Sequence, residues 1–178
     1  FPMALRSFNH DDLILVSDAL DIAEDATGNF FKFSLGQWKR HRYDVRTLSS
    51  LRKEEIKSNV FASLNKGSRA IGEFDSKTRT RDFYFICLQD HRILNALRRD
   101  KELALLSLMV YIFTHELVHI VRFCNFMKRY DACVRGREEE EKIVHAKTYE
   151  ILNDLPVPKL DYILDAYKSH RMWDEAAL

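Results

Sequence analysis

The chain has 178 residues and a formal net charge of +1, from 28 basic and 27 acidic side chains. This length suffices for one domain with a hydrophobic core, and the balanced charge argues against a protein that relies on strong attraction to nucleic acid. Gly and Pro are scarce, with five and three residues, which favours helices over a turn-rich β-sandwich. We therefore predict a single domain over residues 1–178, of the α+β class and mainly helical.

The first third of the chain is predicted to contain two helices separated by a short strand. Apolar residues recur at helical spacing from Asp11 to Ala26, with Asp11 and Asp12 as candidate caps, and Thr27-Gly28-Asn29 is expected to end that helix. Alternating apolar residues predict a short strand within Phe30 to Gln37. An apolar stripe predicts a second helix from Thr47 to Lys66.

The hydrophobic period then changes from that of a helix to that of strands. Ala70 to Phe74 and Asp82 to Leu88 are predicted to be two strands joined by a polar loop, and the second is rich in aromatic and branched residues. Asp90 to Arg99 is predicted to be a short helix. Lys101 to Phe126 is predicted to be a long helix, and its apolar first half indicates that other elements surround it.

Two more helices are predicted at the C-terminal end, after a polar connection from Lys128 to Gly136. The first runs from Arg137 to Leu155, where Pro156 and Pro158 end it. The second is amphipathic and runs from Leu160 to His170.

The long apolar helix contains the pattern His-Glu-x-x-His at His115, Glu116 and His119. Residues four apart lie on one face of a helix, so both imidazoles can bind the same metal ion. Glu116 is then placed to take a proton from a metal-bound water, whose pKa zinc lowers to roughly 7. We predict one zinc ion, held by His115 and His119, with Glu116 as the catalytic base.

This motif resembles that of the zincin superfamily of metallopeptidases, over the motif helix and its neighbours. The resemblance implies a small zincin-like domain with a short β-sheet before the motif helix. The metzincin subgroup has a further His six residues after the second motif His, but Asn125 stands there. In the gluzincin subgroup the third ligand is a Glu on a later helix, so the resemblance is to a minimal gluzincin.

The helix after the motif carries four consecutive Glu residues, from Glu138 to Glu141. At about 100° per residue, Glu140 and Glu141 lie on either side of the apolar stripe of that helix. Glu141 is the nearer, and we predict it as the third ligand. Gluzincins often carry an Asp four residues later, but this chain has His145 there, so His145 is the alternative ligand and Glu140 a further one.

The predicted strand Asp82 to Leu88 precedes the motif helix, as does the strand of zincins that pairs with an extended substrate. Two interpretations are open: a substrate-pairing strand or an ordinary inner strand. A donor for the oxyanion is also expected, with candidates at Tyr130, Arg137, His145 and Tyr149.

The cysteines are three in number, an odd count without CxxC spacing, which predicts a reducing, cytoplasmic compartment. The longest nearly apolar run, Leu103 to Phe113, is too short to cross a bilayer, so no membrane span is expected. We expect a peptide or protein substrate and no nucleic-acid partner.

The leading hypothesis is a zinc-dependent hydrolase, most simply a small HExxH metallopeptidase. Two alternatives remain: a non-catalytic domain that a metal stabilises, and a helical interaction protein without metal.

Overall fold

A computed structural model describes residues 4–34, 38, 43–70, 80–124 and 134–168. Within these ranges the chain forms five α-helices and three β-strands, which confirms the α+β, mainly helical prediction. The elements are α1 (His10–Phe31), β1 (Tyr43–Arg46), β2 (Ala62–Ala70), β3 (Thr80–Leu88), α2 (Asp90–Arg99), α3 (Leu105–Cys124), α4 (Val134–Leu152) and α5 (Leu160–Lys168).

Helix α1 is longer at its C-terminal end than predicted. It continues through Gly28 to Phe31 and ends where Lys32 takes a left-handed conformation, with φ of 55°. A Cβ atom on Gly28 would lie 3.1 Å from the Trp38 indole nitrogen, so the glycine permits a close approach and does not end the helix. The predicted strand from Phe30 is wrong for residues 30–34, which end α1 and continue without strand structure, and residues 35–37 lie outside the described ranges.

The N-terminus of α1 is capped by Asn9, two positions before Asp11, the first of the predicted caps. The Asn9 side chain accepts a hydrogen bond from the Asp12 amide, and the Asp12 carboxylate accepts one from the Asn9 amide. This reciprocal capping box satisfies two backbone donors that would otherwise have no helical partner.

The predicted helix from Thr47 to Lys66 is wrong. The segment forms two 3-10 turns, at Leu48–Ser50 and Lys53–Glu55, before β2 begins. Two side chains at the start of α2 accept hydrogen bonds from the backbone of this segment. Asp90 accepts from the Leu48 amide, and Gln89 accepts from the Lys57 amide. These long-range hydrogen bonds replace those that a helix would make, so the apolar stripe did not predict the local structure.

The three strands form one sheet in the order β1-β3-β2, with β3 parallel to β1 and antiparallel to β2. The described part of β2 begins at Ala62, eight residues before the predicted strand Ala70 to Phe74; residues 71–74 lie outside the described ranges. The predicted second strand is confirmed as β3.

Both edges of β3 are paired from Tyr84 to Cys87, so the inner-strand interpretation holds there and a substrate cannot pair with that part of the strand.

Helix α3 lies at the centre of the fold, as its apolar sequence predicted. Every residue from Ser107 to Val121 is buried, and α1, α4, α5 and β2 pack around it. By length and hydropathy α3 would be able to cross a membrane, but 89% of its apolar window is buried inside the protein. A buried fraction of this size is typical of a helix in a protein core.

The C-terminal helices follow the predicted order with shifted ends. Helix α4 starts three residues before the predicted Arg137 and ends three before Leu155. The predicted polar connection is therefore wrong for residues 134–136, and its earlier residues lie outside the described ranges. Val144, Thr148 and Leu152 form the fully buried face of α4. Helix α5 is confirmed to Lys168, beyond which the predicted residues are not described.

Candidate metal centre

The inner wall of the candidate site consists of His115, Glu116 and His119 on α3. Their relative exposures are 1%, 5% and 8%, because α3 is enclosed by other elements. The rings of His115 and His119 lie 4.9 Å apart between centroids, as expected for residues one helical turn apart. The packing of α3 therefore determines the position of these three side chains.

The outer wall consists of Glu141 and His145 on α4, whose side chains are each 34% exposed. Glu141 lies between the two inner histidines: its Oε2 is 3.2 Å from His115 Nε2 and its Oε1 is 3.0 Å from His119 Nε2. The carboxylate that the helical projection selected therefore contacts both motif histidines.

His145 also reaches this cluster. Its Nε2 atom is 3.9 Å from Glu141 Oε2, and its ring lies 4.6 Å from that of His115. On its other side, Nδ1 forms a 2.7 Å hydrogen bond with the Tyr111 hydroxyl. In the tautomer in which Nδ1–H donates this hydrogen bond to the Tyr111 oxygen, the lone pair of Nε2 is available to a metal ion.

The side chains of His115, Glu141 and His145 could hold one metal ion. One ligand atom from each lies within 4.8 Å of the other two. Two ligands of a tetrahedral ion with bonds near 2.05 Å are about 3.3 Å apart, close to the distances from Glu141 to His115 and His119. Glu141 Oε2 is buried and has no hydrogen-bond partner among the described residues, a deficit that a cation would remove.

The Nδ1 atoms of His115 and His119 have surroundings that differ from those of a usual metal site. A histidine that binds a metal generally donates its second ring N–H to an oxygen. The Nδ1 atoms of His115 and His119 are buried, and no such acceptor lies within the described residues. Where gluzincins often carry an Asp, His145 instead contacts Tyr111.

Glu140, the remaining candidate ligand from the sequence, is occupied elsewhere. Arg122 Nε lies 2.6 Å from Glu140 Oε1, and a second Arg122 nitrogen lies 3.0 Å from Oε2. This two-bond ion pair joins α3 to α4 and is mostly buried. Sequence reasoning missed it, since Arg122 and Glu140 are 18 positions apart and no local spacing connects them.

The charges of the site influence one another strongly. Burial raises the pKa of Glu116, and the neighbouring His115 and His119 only partly oppose that rise. Burial would likewise raise the pKa of Glu141, but the contacts with His115 and His119 outweigh it and hold that pKa well below the ordinary value. Burial lowers the pKa of His119, but the neighbouring carboxylates of Glu141 and Glu116 together raise it by more, so the net shift of this pKa is upward.

The four candidate oxyanion donors lie in different places relative to the site. Arg137 is exposed at the start of α4, and Tyr130 lies outside the described residues. His145 and Tyr149 both border a cavity beside the site. The structure therefore brings two of the four candidates near the cluster.

Comparison of the chain with protein-family models, with curated proteins and with solved structures finds no match. The chemistry of the site is therefore inferred from its side chains and their distances.

Proposed function

We propose that this protein is a zinc-dependent hydrolase that cleaves peptide bonds, with Glu116 as general base. The observation that carries the proposal is that the carboxylate of Glu141 lies between His115 and His119, with one oxygen 3.2 Å from the first imidazole and the other 3.0 Å from the second. Two imidazoles and a carboxylate are a known ligand set of catalytic zinc, which leaves a fourth position open. When bound, zinc supplies a Lewis acid and a water with a pKa near 7.

Glu116 is suited to proton transfer beside that ligand set. It is adjacent in sequence to His115 and almost fully buried, and burial raises its pKa above the ordinary value. A base works best when its pKa lies near the working pH. Glu116 would accept a proton from the attacking water and donate it to the leaving amine.

Substrate would approach over the outer wall. The inner-wall residues are at most 8% exposed, whereas Glu141 and His145 have one third of their side chains accessible. In this proposal Glu141 is the third ligand, because it contacts both motif histidines. His145, held by Tyr111, would border the bound substrate; its role as ligand with Glu141 behind it is the alternative.

The test replaces Glu116 with Gln, which keeps the size of the side chain and removes its basicity. We expect zinc content to remain at about one ion per chain while cleavage of a mixture of synthetic peptides, followed by mass spectrometry, falls by at least about 10²-fold. Glu139→Gln is the matched control, since Glu139 is exposed on α4. Equal cleavage by the Glu116 variant and wild type would refute the proposal.

A second candidate, a metal that only stabilises the domain, has its own observation. The proposed ligands join α3 to α4, as a structural crosslink would, and the inner wall is almost closed. Removal of the metal separates the two: loss of cleavage supports the hydrolase, whereas a lower melting temperature in a chain that never cleaves peptides supports the crosslink.

A further inference from the structure

Beside the metal centre lies a cavity of about 500 Å³ between α4 and α5. This volume is within the range of small-molecule and side-chain sites. The cavity is continuous with the outer wall, because His145 and its partner Tyr111 both line it. A group bound there would lie next to His145.

The wall of this cavity is largely apolar and aromatic. Tyr111 and Tyr167 stack in parallel with their centroids 3.9 Å apart, and Tyr149 and Leu164 contribute further apolar surface. An apolar lining with aromatic side chains favours an aromatic or large aliphatic group over a small polar one.

Two cations also line the cavity. Lys142 and Lys168 both lie on it, and neither forms an ion pair with a carboxylate among the described residues. The acidic residue of the lining, Glu150, is paired with Lys147 at 3.2 Å. Excess positive charge beside an apolar wall is complementary to an apolar group that carries an anion.

We propose that this cavity binds an aromatic or large apolar residue of the substrate together with an adjacent carboxylate. The carboxylate belongs either to a free peptide C-terminus or to a neighbouring acidic side chain, and its chemistry at Lys142 and Lys168 is the same. The role of the cavity in specificity rests on the proposed hydrolase, whereas its ligand preference is a binding property that can be measured separately.

The binding test titrates the full chain with N-acetyl-tryptophan and with its neutral amide in a calorimeter. We expect the amide to bind about tenfold more weakly, a difference of about 1.4 kcal/mol. Lys142→Met with Lys168→Met should remove the preference, whereas the control pair Lys57→Met with Lys101→Met, at exposed positions, should retain it. Equal binding of acid and amide, or a preference that survives the loss of Lys142 and Lys168, would overturn the proposal.

A second variant tests the cavity itself. Ala146 lines it from α4, and Ala146→Phe should fill it and abolish binding of both ligands while far-ultraviolet circular dichroism and zinc content stay unchanged. Undiminished binding to this folded variant would place the ligand elsewhere and refute the cavity as the site.

Cleavage of matched peptides distinguishes the two carboxylate sources and separates this proposal from the hydrolase. One peptide ends in Phe with a free carboxylate, one ends in Phe amide, and one amidated peptide contains Phe followed by Asp. Preference for the first indicates a C-terminus, and for the third an acidic side chain. Cleavage of all three peptides at equal rates supports the hydrolase and refutes the cavity proposal. Acid-selective binding without any cleavage supports the cavity as a binding site and refutes the hydrolase.

Discussion

The inner and outer walls of the site are held in place by different means. His115, Glu116 and His119 are buried on a helix that packs on several sides, so hydrophobic burial positions them. Glu141 and His145 lie on a more polar helix and are held by individual polar contacts: Arg122 with Glu140, and Tyr111 with His145. The comparison teaches that individual polar contacts contribute more to the position of the outer wall than to that of the inner wall.

Removal of a proposed ligand from either wall should have the largest effect. His119→Ala and Glu141→Ala are each expected to lower zinc affinity by more than about 100-fold, because three protein ligands are needed to retain the ion. Elemental analysis of protein purified without a His tag or added zinc provides the measurement. His145→Ala should retain zinc; if it loses zinc while Glu141→Ala retains it, His145 is the ligand and the assignment to Glu141 is wrong.

Breaking the ion pair between the walls should have the next largest effect. Arg122→Met leaves Glu140 buried without its partner and is expected to cost about 3–5 kcal/mol of unfolding free energy, measured by urea denaturation. Combining it with Glu140→Met should recover most of that loss, because no buried charge remains. A single variant as stable as wild type would show that this pair does not hold α4 in place.

Loss of the Tyr111 hydroxyl should have a smaller effect, confined to the outer wall. Tyr111→Phe removes the hydrogen bond to His145 Nδ1 and keeps the stacking on Tyr167. If His145 is a ligand, we expect about a 10-fold decrease in zinc affinity, measured by competition with a chelator. If Glu141 is the ligand, zinc affinity should change less than about threefold, and Tyr111→Phe thus tests the same choice without removing a candidate ligand.

A substitution remote from both walls should have the smallest effect and should spare the metal. The Arg52 backbone amide, then the Arg52 and Arg46 side chains, hold the pKa of Glu55 below its ordinary value despite burial. This stabilisation is therefore full above the unfolded-state pKa of about 4.5 and is lost as the pH falls through the lower folded-state pKa. Glu55→Gln should reduce stability by about 0.5–1 kcal/mol at pH 7.

The pH dependence of that difference is the check. Urea titrations of wild type and Glu55→Gln should converge once the pH is below the folded-state pKa of Glu55, and zinc content should be equal at pH 7. A gap that stays constant at all pH values would mean that the charge of Glu55 does not stabilise the fold.

The sequence predicted best where burial and local spacing agree. It predicted α3 and the shared face of its two histidines, although with a start four residues too early, because helical periodicity acts within a few residues and the first half of the helix is apolar. It failed from Thr47 to Lys66, where the same apolar spacing occurs but Asp90 and Gln89, far along the chain, bind the backbone. Local pattern could not reveal those partners.

The sequence by itself therefore determined the chemistry of the inner wall: two imidazoles and a carboxylate on consecutive turns of a buried helix. For α4, helical projection favoured Glu141 but left Glu140 and His145 open, and only the tertiary structure showed what each of these side chains contacts. Glu140 pairs with Arg122 and Glu141 contacts both histidines, although they are adjacent in a run of four identical residues. The physical reason is that the packing of α4 on α3 sets the rotation of α4, and 100° of rotation per residue separates the partner of Arg122 from the residue that contacts both motif histidines.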